Sequence, residues 1–301
     1  MRKLIDISKH QGNINFDAVK ADGVDGVIIR AGFGRNNIDE KFYKNIEGCE
    51  KAGLPVGIYW FSYAYSVGMA ANEALYCLDA IKGHKITLPI FFDWEYDSNN
   101  YAKKKGVRAT ETLVTAMTQA FCKSTSDAGY KAGYYLNEDY RLHMIDETKL
   151  GRYHSWYARY NTTIKPSGYD IWQHNSKGRV KGINGDVDLD WLINDSLLGS
   201  IEPTMTKKTN EEIASEVLLG VWGTGNTRKQ RILAAGYDYD AIQKIVNSKV
   251  DKTPKKKSNE EIAKEVKAGF WGNGNVRKKK LAAAGYDYEV IRQLVNKLSK
   301  K

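Results

Sequence analysis

Residues 87–95 read TLPIFFDWE. The apolar, aromatic run is typical of a buried strand, yet the stretch ends on two acids, Asp93 and Glu95. Charged side chains are rarely buried without a partner, because removing them from water is costly. Side chains of a strand alternate between its two faces, so these carboxylates share one face and Trp94 occupies the other. The stretch therefore predicts a buried strand that presents two carboxylates together at one end.

Strand and helix patterns alternate on both sides of this stretch. Helix candidates are residues 15–22, 39–52, 69–82 and 109–127. Strand candidates are residues 3–8, 26–32, 55–64, 87–95, 131–137, 154–160, 170–175 and 186–192. The early alternation predicts a parallel sheet, and the last three strands leave little room for helices between them. Because a complete β/α barrel takes about 250 residues, we expect residues 1–199 to form an α/β fold, an irregular β/α barrel of about eight strands that lacks its late helices.

Acids also occur in the first and last strand candidates. Asp6 lies in LIDIS (4–8), and Asp186, Asp188 and Asp190 share one face of GDVDLDW (185–191). The first and last strands become neighbours if the barrel closes. Barrel enzymes hold their active sites at the rim formed by the carboxyl ends of the strands. We therefore expect acids of the first, fourth and eighth strands to converge on one pocket there.

Convergent carboxylates have a chemical use. Like charges close together raise one another's pKa, because they resist joint ionisation. One acid can then stay protonated near neutral pH and serve as a general acid while another remains ionised. This is the equipment for cleaving a glycosidic bond.

The C-terminal third of the chain repeats itself. Residues 210–247 align without gaps to residues 259–296, with 23 of 38 positions identical. Such self-similarity is the signature of duplicated structural units, and each copy predicts three short helices, over 208–248 and 257–298. The expected amino-terminal caps of these helices are Thr209, Asn226 and Asp238 in the first copy and Ser258, Asn275 and Asp287 in the second.

Charge separates the repeats from the barrel region. Residues 201–301 hold 21 Lys and Arg against 12 Asp and Glu, a net of +9, whereas residues 1–200 hold 25 against 24. A basic module beside a nearly neutral domain suggests an appendage that binds a polyanion. Charge alone would also suit nucleic acid, but no nucleic-acid-binding motif supports that partner.

Several other classes are disfavoured. No run of 18 apolar residues is present, so we expect no membrane insertion. The N-terminus MRKLIDISKHQG lacks the apolar stretch of a signal peptide, which predicts synthesis in a cytoplasm. The cysteines Cys49, Cys77 and Cys122 have neither disulfide-framework nor zinc-site spacing, and we expect neither metal nor cofactor.

An ordered set of motifs resembles a known family. LIDISKHQG, GVIIRAG, GLPVGIYWFSYA, PIFFDWE, WYARY, IWQ and GDVDLDW, in this order over about residues 1–195, resemble the family 25 glycoside hydrolases, the Chalaropsis-type lysozymes, many of them bacteriophage endolysins. The resemblance implies an irregular β/α barrel that cleaves the β-1,4 bond between N-acetylmuramic acid and N-acetylglucosamine in peptidoglycan.

The resemblance also implies roles for single residues. Glu95 matches the family's general acid, Asp93 the carboxylate two residues before it, and Asp6 the acid of the first strand. Asp188 matches the acid of the closing VD-x-N motif, although here the last position is Asp190, which adds negative charge near the site.

Further residues are candidates for substrate contacts. YWF at 59–61 departs from the family's commoner Tyr-His-Phe, which leaves Tyr59 as the better candidate for a sugar contact. Arg30 and Gln173 are polar groups on apolar strands, and Tyr135 is an aromatic that suits either a sugar face or the core.

The repeats resemble the three-helix cell-wall-binding units of some phage lysozymes. GxWGxGN-x-RK and AAGYDY carry this resemblance, which implies binding to the muramyl-peptide part of peptidoglycan. Arg228 and Arg277 are candidate ligands of carboxylates, while Trp222 and Trp271 suit either the ligand or the small cores.

The motifs leave function and mechanism with alternatives. A chitinase-like hydrolase of acetamido sugars would need a D-x-x-D-x-D-x-E pattern that is absent, and a non-catalytic wall-binding protein would not need the acids. For the favoured muramidase, either the substrate's acetamido group acts as the nucleophile, oriented by Asp93, or Asp93 or Asp188 activates water directly.

Overall fold

The computed structural model describes residues 1–160, 163, 165–198, 208–251 and 257–299. Within it the chain forms two compact units, Met1–Gln243 and Lys244–Lys301. The first unit contains the barrel and most of the first repeat, and the second contains the second repeat.

The first unit contains a single sheet of nine strands, eight of which form the barrel. These are β1 (Arg2–Ile7), β2 (Gly26–Phe33), β3 (Asn37–Ile38), β4 (Val56–Phe61), β5 (Ile90–Asp93), β6 (Ala132–Asn137), β7 (His154–Ala158), β8 (Ile171–Gly178) and β9 (Val187–Leu192). Their order is β1-β9-β8-β7-β6-β5-β4-β2, and β1 also pairs with β2, which closes a barrel of eight strands. The short β3 extends β2 as an extra hairpin strand. The predicted fold class, an irregular β/α barrel, is confirmed.

The barrel is mixed rather than wholly parallel. Seven strands run parallel to one another: β1, β2, β4, β5, β6, β7 and β8. The eighth, β9, runs antiparallel to both of its neighbours, β1 and β8. A short connection explains the difference, because β8 and β9 are too close in sequence for a helical crossover. The expectation of a parallel sheet therefore fails at the closing strand.

Six α-helices lie between the barrel strands along the chain. They are α1 (Phe16–Ala21), α2 (Phe42–Ala52), α3 (Val67–Ala80), α4 (Tyr96–Lys104), α5 (Glu111–Asp127) and α6 (Glu138–His143), with α7 (Asn210–Leu218) of the first repeat also in this unit. The sequence did not predict α4 and α6. In the described residues between β7 and β9 there is no α-helix, as expected for missing late helices.

Apolar side chains form two layers on the strands. Alternate positions such as Leu4, Ile28 and Phe91 fill the barrel interior, and the intervening ones, such as Ile5 and Ile29, pack outward beneath the helices. The period of two in each strand thus divides its residues between these layers. The polar exceptions on the inner face lie towards one rim, which is where the site is found.

The repeats form the expected short helices. The first copy continues from α7 with α8 (Gly225–Ala234) and α9 (Tyr239–Asp251), and the second has α10 (Asn259–Lys267), α11 (Gly274–Ala283) and α12 (Tyr288–Ser299). Capping boxes at Thr209 and Ser258 are present, and Asp238 accepts hydrogen bonds from the backbone of Asp240 and Ala241 at 2.9 and 3.0 Å.

The predicted caps of the second helices are wrong. The helices begin at Gly225 and Gly274, one residue before Asn226 and Asn275. In the WGxGN turns both glycines take positive φ, 75° and 56° in the first copy and 73° and 52° in the second. This left-handed backbone costs a side-chain-bearing residue about 1–2 kcal/mol, so the turn needs glycine rather than a capping side chain.

Candidate active site

Three strands bring acids to the same rim. Asp93 is the last residue of β5, and Asp6 lies near the end of β1 directly opposite Asp188 in the β1–β9 register. Because β9 runs antiparallel, its first residues lie where the parallel strands end. The chain reversal that the sequence did not predict is thus what places Asp188 at the rim.

These acids line a cleft of about 350 Å³. The structure brings all eight barrel residues proposed from the sequence into its wall: Asp6, Asp93, Glu95, Asp188, Tyr59, Arg30, Tyr135 and Gln173. Their proximity is a structural finding, and their individual roles stay predictions.

Asp6 lies at the buried end of the cleft, with 6% of its surface exposed. Gln173 Nε2 donates to its Oδ2 at 2.7 Å, and the hydroxyls of Tyr135 and Tyr160 donate to Gln173 Oε1 at 3.2 and 2.6 Å. Burial, reinforced by the Asp190 and Asp188 carboxylates, raises the pKa of Asp6 well above its usual range. Asp6 therefore holds its proton more tightly than a solvated carboxyl does.

Asp93 and Glu95 differ in exposure. Asp93 is 4% exposed, and burial together with the neighbouring Glu95 charge raises its pKa well above the usual range, against the opposing effect of Arg30. Burial also raises the pKa of Glu95, which is half-buried at the start of α4, where its backbone N–H donates to Ser98 Oγ at 3.0 Å. The two groups hold protons with unequal strength, as general acid–base chemistry requires.

One oxygen of Asp93 has an unusual environment. Its Oδ1 is buried and has no hydrogen-bond partner among the described residues. A buried polar atom without a partner is costly. Because Asp93 lines the cleft, this oxygen is suited to accept a hydrogen bond from a ligand.

Asp190, expected from the sequence only to add negative charge near the site, is a buried neighbour of the cleft acids and helps raise the pKa of Asp6. It is fully buried, lies opposite Leu4 and Gln173 in the sheet, and accepts a hydrogen bond from Trp156 Nε1 at 2.7 Å. Burial raises its pKa to about 8, and burial raises that of the half-buried Asp188 to about 6. The sequence pattern that indicates its place near the site is the face that Asp190 shares with the other two acids of GDVDLDW.

Arg30 both lines the cleft and forms an ion pair with a buried acid. Its guanidinium pairs with the buried Asp39 carboxylate, with Nε–Oδ2 at 2.8 Å and Nη2–Oδ2 at 2.6 Å, and it also lines the cleft. The ion pair holds a cation beside the acids without leaving it unpaired.

Aromatic residues complete the cleft. Phe61, Trp156 and Tyr160 line it, and the rings of Tyr59 and Tyr135 lie edge-on to Trp156, with centroids 5.8 and 4.8 Å apart. Phe61, Trp156 and Tyr160 were not predicted as site residues. The signal for two of them was available, because Trp156 and Tyr160 occupy alternate, inward-facing positions of WYARY.

The repeat residues proposed as ligands also have structural contacts. Arg228 Nε donates to Gly223 O at 3.0 Å, and Arg277 Nε donates to Gly272 O at 2.7 Å. Both arginines thus hold the turn that precedes their own helix. The indoles of Trp222 and Trp271 donate to Glu216 and Glu265 at 2.9 and 3.0 Å.

Metal-ion and membrane chemistry have no structural support in the described residues. Those residues contain no group of three or more His, Cys, Asp and Glu able to hold a metal ion. None of the helices they form is long and apolar enough to span a bilayer.

A closed β/α barrel whose carboxyl-end rim gathers several carboxylates has the architecture and the chemical groups of a glycosidase. Residues 5–183 match the family described as glycosyl hydrolases family 25, and the chain belongs to that family. Residues 211–250 and 260–298 each match the CW_7 repeat.

Two proteins named as lysozymes are similar to this chain. The chain is 26% identical over 256 residues to the lysozyme of Streptococcus phage Cp-7, covering 81% of this chain and 68% of that protein. It is 26% identical over 200 residues to the autolytic lysozyme of Clostridium acetobutylicum, covering 65% of this chain and 57% of that protein.

Solved structures share the barrel. The catalytic domain of endolysin ply40, from a bacteriophage of Listeria monocytogenes, is 29% identical with a TM-score of 0.55, covering 66% of this chain and 98% of that one. The modular autolysin LytC of Streptococcus pneumoniae is 27% identical with a TM-score of 0.55, covering 63% of this chain and 46% of that one.

Proposed function

We propose that this protein is a muramidase, which hydrolyses the β-1,4 bond between N-acetylmuramic acid and N-acetylglucosamine in bacterial peptidoglycan. The observation that carries the proposal is the cleft in which Asp6, Asp93, Glu95 and Asp188 meet at the rim of the barrel. Lysozyme-named relatives in the same family support the choice of peptidoglycan over other acetamido-sugar polymers.

In the proposed reaction the substrate's own acetamido oxygen attacks the anomeric carbon. Asp93 Oδ1, buried and without a partner in the described structure, accepts a hydrogen bond from the acetamido N–H and holds the group in place. Glu95 donates its proton to the departing glycosidic oxygen. It then takes a proton from the water that opens the oxazolinium ring, so the proton balance is restored.

The competing course is inversion, with Asp93 or Asp188 activating water. Proton NMR of the product during the first turnovers separates the schemes. The substrate-assisted route retains the β-anomer, and an initial α-anomer would exclude it.

The identity of the cleaved bond is tested by end-group analysis. Purified peptidoglycan is digested and reduced with borohydride, and the sugar that becomes an alcohol is identified. We expect muramitol. Glucosaminitol would refute the muramidase assignment, and no new reducing ends would mean that the protein only binds the wall.

We further propose that the two repeats hold the enzyme on the wall through its muramyl-peptide part. Duplication supports this role, because two linked sites of modest affinity gain avidity from effective concentration. The net charge of +9 in residues 201–301 also favours association with polyanionic Gram-positive walls.

A further inference from the structure

A second, larger cavity lies in the first unit, beside the catalytic cleft. It is a groove of about 560 Å³ between the barrel and the first repeat. We call it the tyrosine groove, because Tyr63, Tyr65, Tyr76 and Tyr101 line its barrel side. Its other wall is formed by Gly223 and Thr224 of the WGTGN turn and by Thr227 and Arg231 of helix α8.

Direct contacts join the two walls. Arg231 Nη1 donates to Asn72 Oδ1 at 3.2 Å, and its guanidinium lies 5.4 Å from the centroid of the Tyr76 ring. Asn72 Nδ2 in turn donates to Gly220 O at 3.2 Å. The half-buried Lys208 ammonium bridges Asp127 of α5 and Glu216 of α7, at 3.0 and 2.6 Å. The groove is therefore a built feature with polar links on both sides.

The chemistry of the lining selects an anion. Three cations, Arg35, Lys105 and Arg231, line the groove, and none of its lining residues is an acid. In the described part of the chain, neither Arg35 nor Lys105 has a carboxylate within ion-pair distance. Arginine and lysine recognise carboxylates, and tyrosines offer apolar faces with polar tips. The combination suits a short acidic peptide.

The tyrosine groove adjoins the catalytic cleft through a pair of rings. Phe61 lines the cleft and Tyr63 lines the groove, and their ring centroids are 5.3 Å apart. In peptidoglycan a peptide with free carboxylates hangs from the lactyl group of the same sugar whose bond the proposed reaction cleaves. One strand can therefore place its sugar among the acids and its peptide over Tyr63.

We propose that the tyrosine groove binds the acidic stem peptide of the peptidoglycan strand held in the catalytic cleft. The inference rests on the proposed muramidase function and adds a second element of substrate recognition, to which the barrel and the first repeat both contribute. The enzyme should then distinguish glycan that carries stem peptides from bare glycan.

The test compares two soluble substrates of equal length, one with intact stem peptides and one from which an amidase has removed them. For the full-length wild-type chain we expect a KM three- to tenfold lower for the peptide-bearing glycan. In Arg231→Ala and Lys105→Ala we expect that advantage to disappear, with kcat and the KM for bare glycan unchanged. Arg231→Lys keeps the charge and should retain most of the advantage.

The second repeat supplies the matched control. Lys280 occupies the position of Arg231 in the duplicated sequence, and Lys280→Ala should behave like the wild type. Loss of the advantage in Arg231→Ala but not in Lys105→Ala would mean that the repeat had merely loosened, and would refute the composite site.

Other outcomes also decide the matter. Equal KM values for the two substrates in the wild type would overturn the inference while leaving the muramidase assignment intact. Failure to cleave either substrate would overturn both. If polyglycerol phosphate abolishes the KM advantage at concentrations where a free stem tetrapeptide does not, the groove is a polyphosphate site and the proposal is wrong.

Discussion

The side chain of Trp94 fixes the direction of the carboxylates on either side of it. It is 1% exposed, and its indole Nε1 donates to Ala64 O at 2.9 Å outside the barrel. With Trp94 held on the outer face, alternation turns Asp93 and Glu95 into the cleft. A packing residue thus orients two cleft-lining carboxylates from the opposite face of the strand.

Glu95→Gln should abolish hydrolysis. Glutamine keeps the shape but cannot donate a proton to the leaving oxygen, so we expect kcat to fall by about 10²–10⁴-fold, with sedimentation on purified walls unchanged. Glu47→Gln, an exposed position on α2, is the control and should retain full activity. Loss of wall binding in Glu95→Gln would show that catalysis and binding are not separable.

Asp190→Asn should flatten the pH dependence of stability. The folded state raises the pKa of this carboxyl to about 8, against about 3.9 in an unfolded chain. Between those values the folded state binds the extra proton, so stability falls as pH rises, by up to about 1.4 kcal/mol per pH unit for one proton. Asparagine does not titrate and can still accept from Trp156.

Thermal melting from pH 5 to pH 9 measures this effect. We expect the Tm of Asp190→Asn to gain on that of the wild type as pH rises. Asp186→Asn, an exposed acid on the same segment, should show no such trend. Parallel curves for the wild type and Asp190→Asn would contradict the assigned pKa shift.

At the scale of elements, the sequence predicted those strands and helices whose apolar residues recur with a regular period. The eight barrel strands were located because their residues alternate, and the acid-bearing strands were recognised by the same pattern. Helix α4 was missed because YDSNNYAKK has no apolar stripe, and α6 because six residues are too few for a period. The antiparallel direction of β9 depends on a connection between strands, which residue alternation does not report.

The candidate site likewise contains residues that could be predicted from the sequence and residues that could not. Residues that face inward on strands could be proposed from their spacing, as Gln173 and Tyr135 were. The burial of Asp190 beneath Trp156 and the pairing of Arg30 with Asp39 could not, because they depend on contacts between distant segments. Arg228 and Arg277 were proposed as ligands, and the structure adds a role in holding their turns.

Arg277→Ala should therefore destabilise the second repeat. Its Nε and Nη2 donate to Gly272 O and to Asn273 Oδ1, each at 2.7 Å, and we expect a loss of about 1 kcal/mol on removing these partly exposed charged hydrogen bonds. Urea unfolding of the second-repeat transition measures it. Lys279→Ala, an exposed neighbour, is the control, and equal stability of both variants would leave Arg277 with a ligand role alone.

At the scale of the whole molecule, the excess positive charge and the cleft acids belong to different parts of the sequence. Because the excess of positive charge belongs to residues 201–301 and ionic attraction is screened within about 10 Å at 0.1 M salt, wall association should weaken severalfold between 50 and 500 mM NaCl. Hydrolysis of a soluble fragment should change by less than about twofold over the same range.

Two pairs of charge-removing substitutions test whether the repeats or the barrel carry the salt-dependent association with the wall. Replacing the exposed Lys278 and Lys279 by glutamine should weaken wall sedimentation at low salt, whereas the same change at the exposed Lys103 and Lys104 of the barrel should not. Equal losses from both pairs would mean that net charge, rather than the repeat, controls association.

The closing strand has a consequence for how the enzyme comes into being. Asp6 and Asp188 face each other across β1 and β9, so two members of the acid cluster are among the first and the last barrel residues to leave the ribosome. Contacts of such long sequence separation form late, because loop closure must precede them. A nascent chain that has not yet released β9 therefore contains Asp93 and Glu95 but no assembled cluster, and competence for hydrolysis arises only when the barrel is sealed.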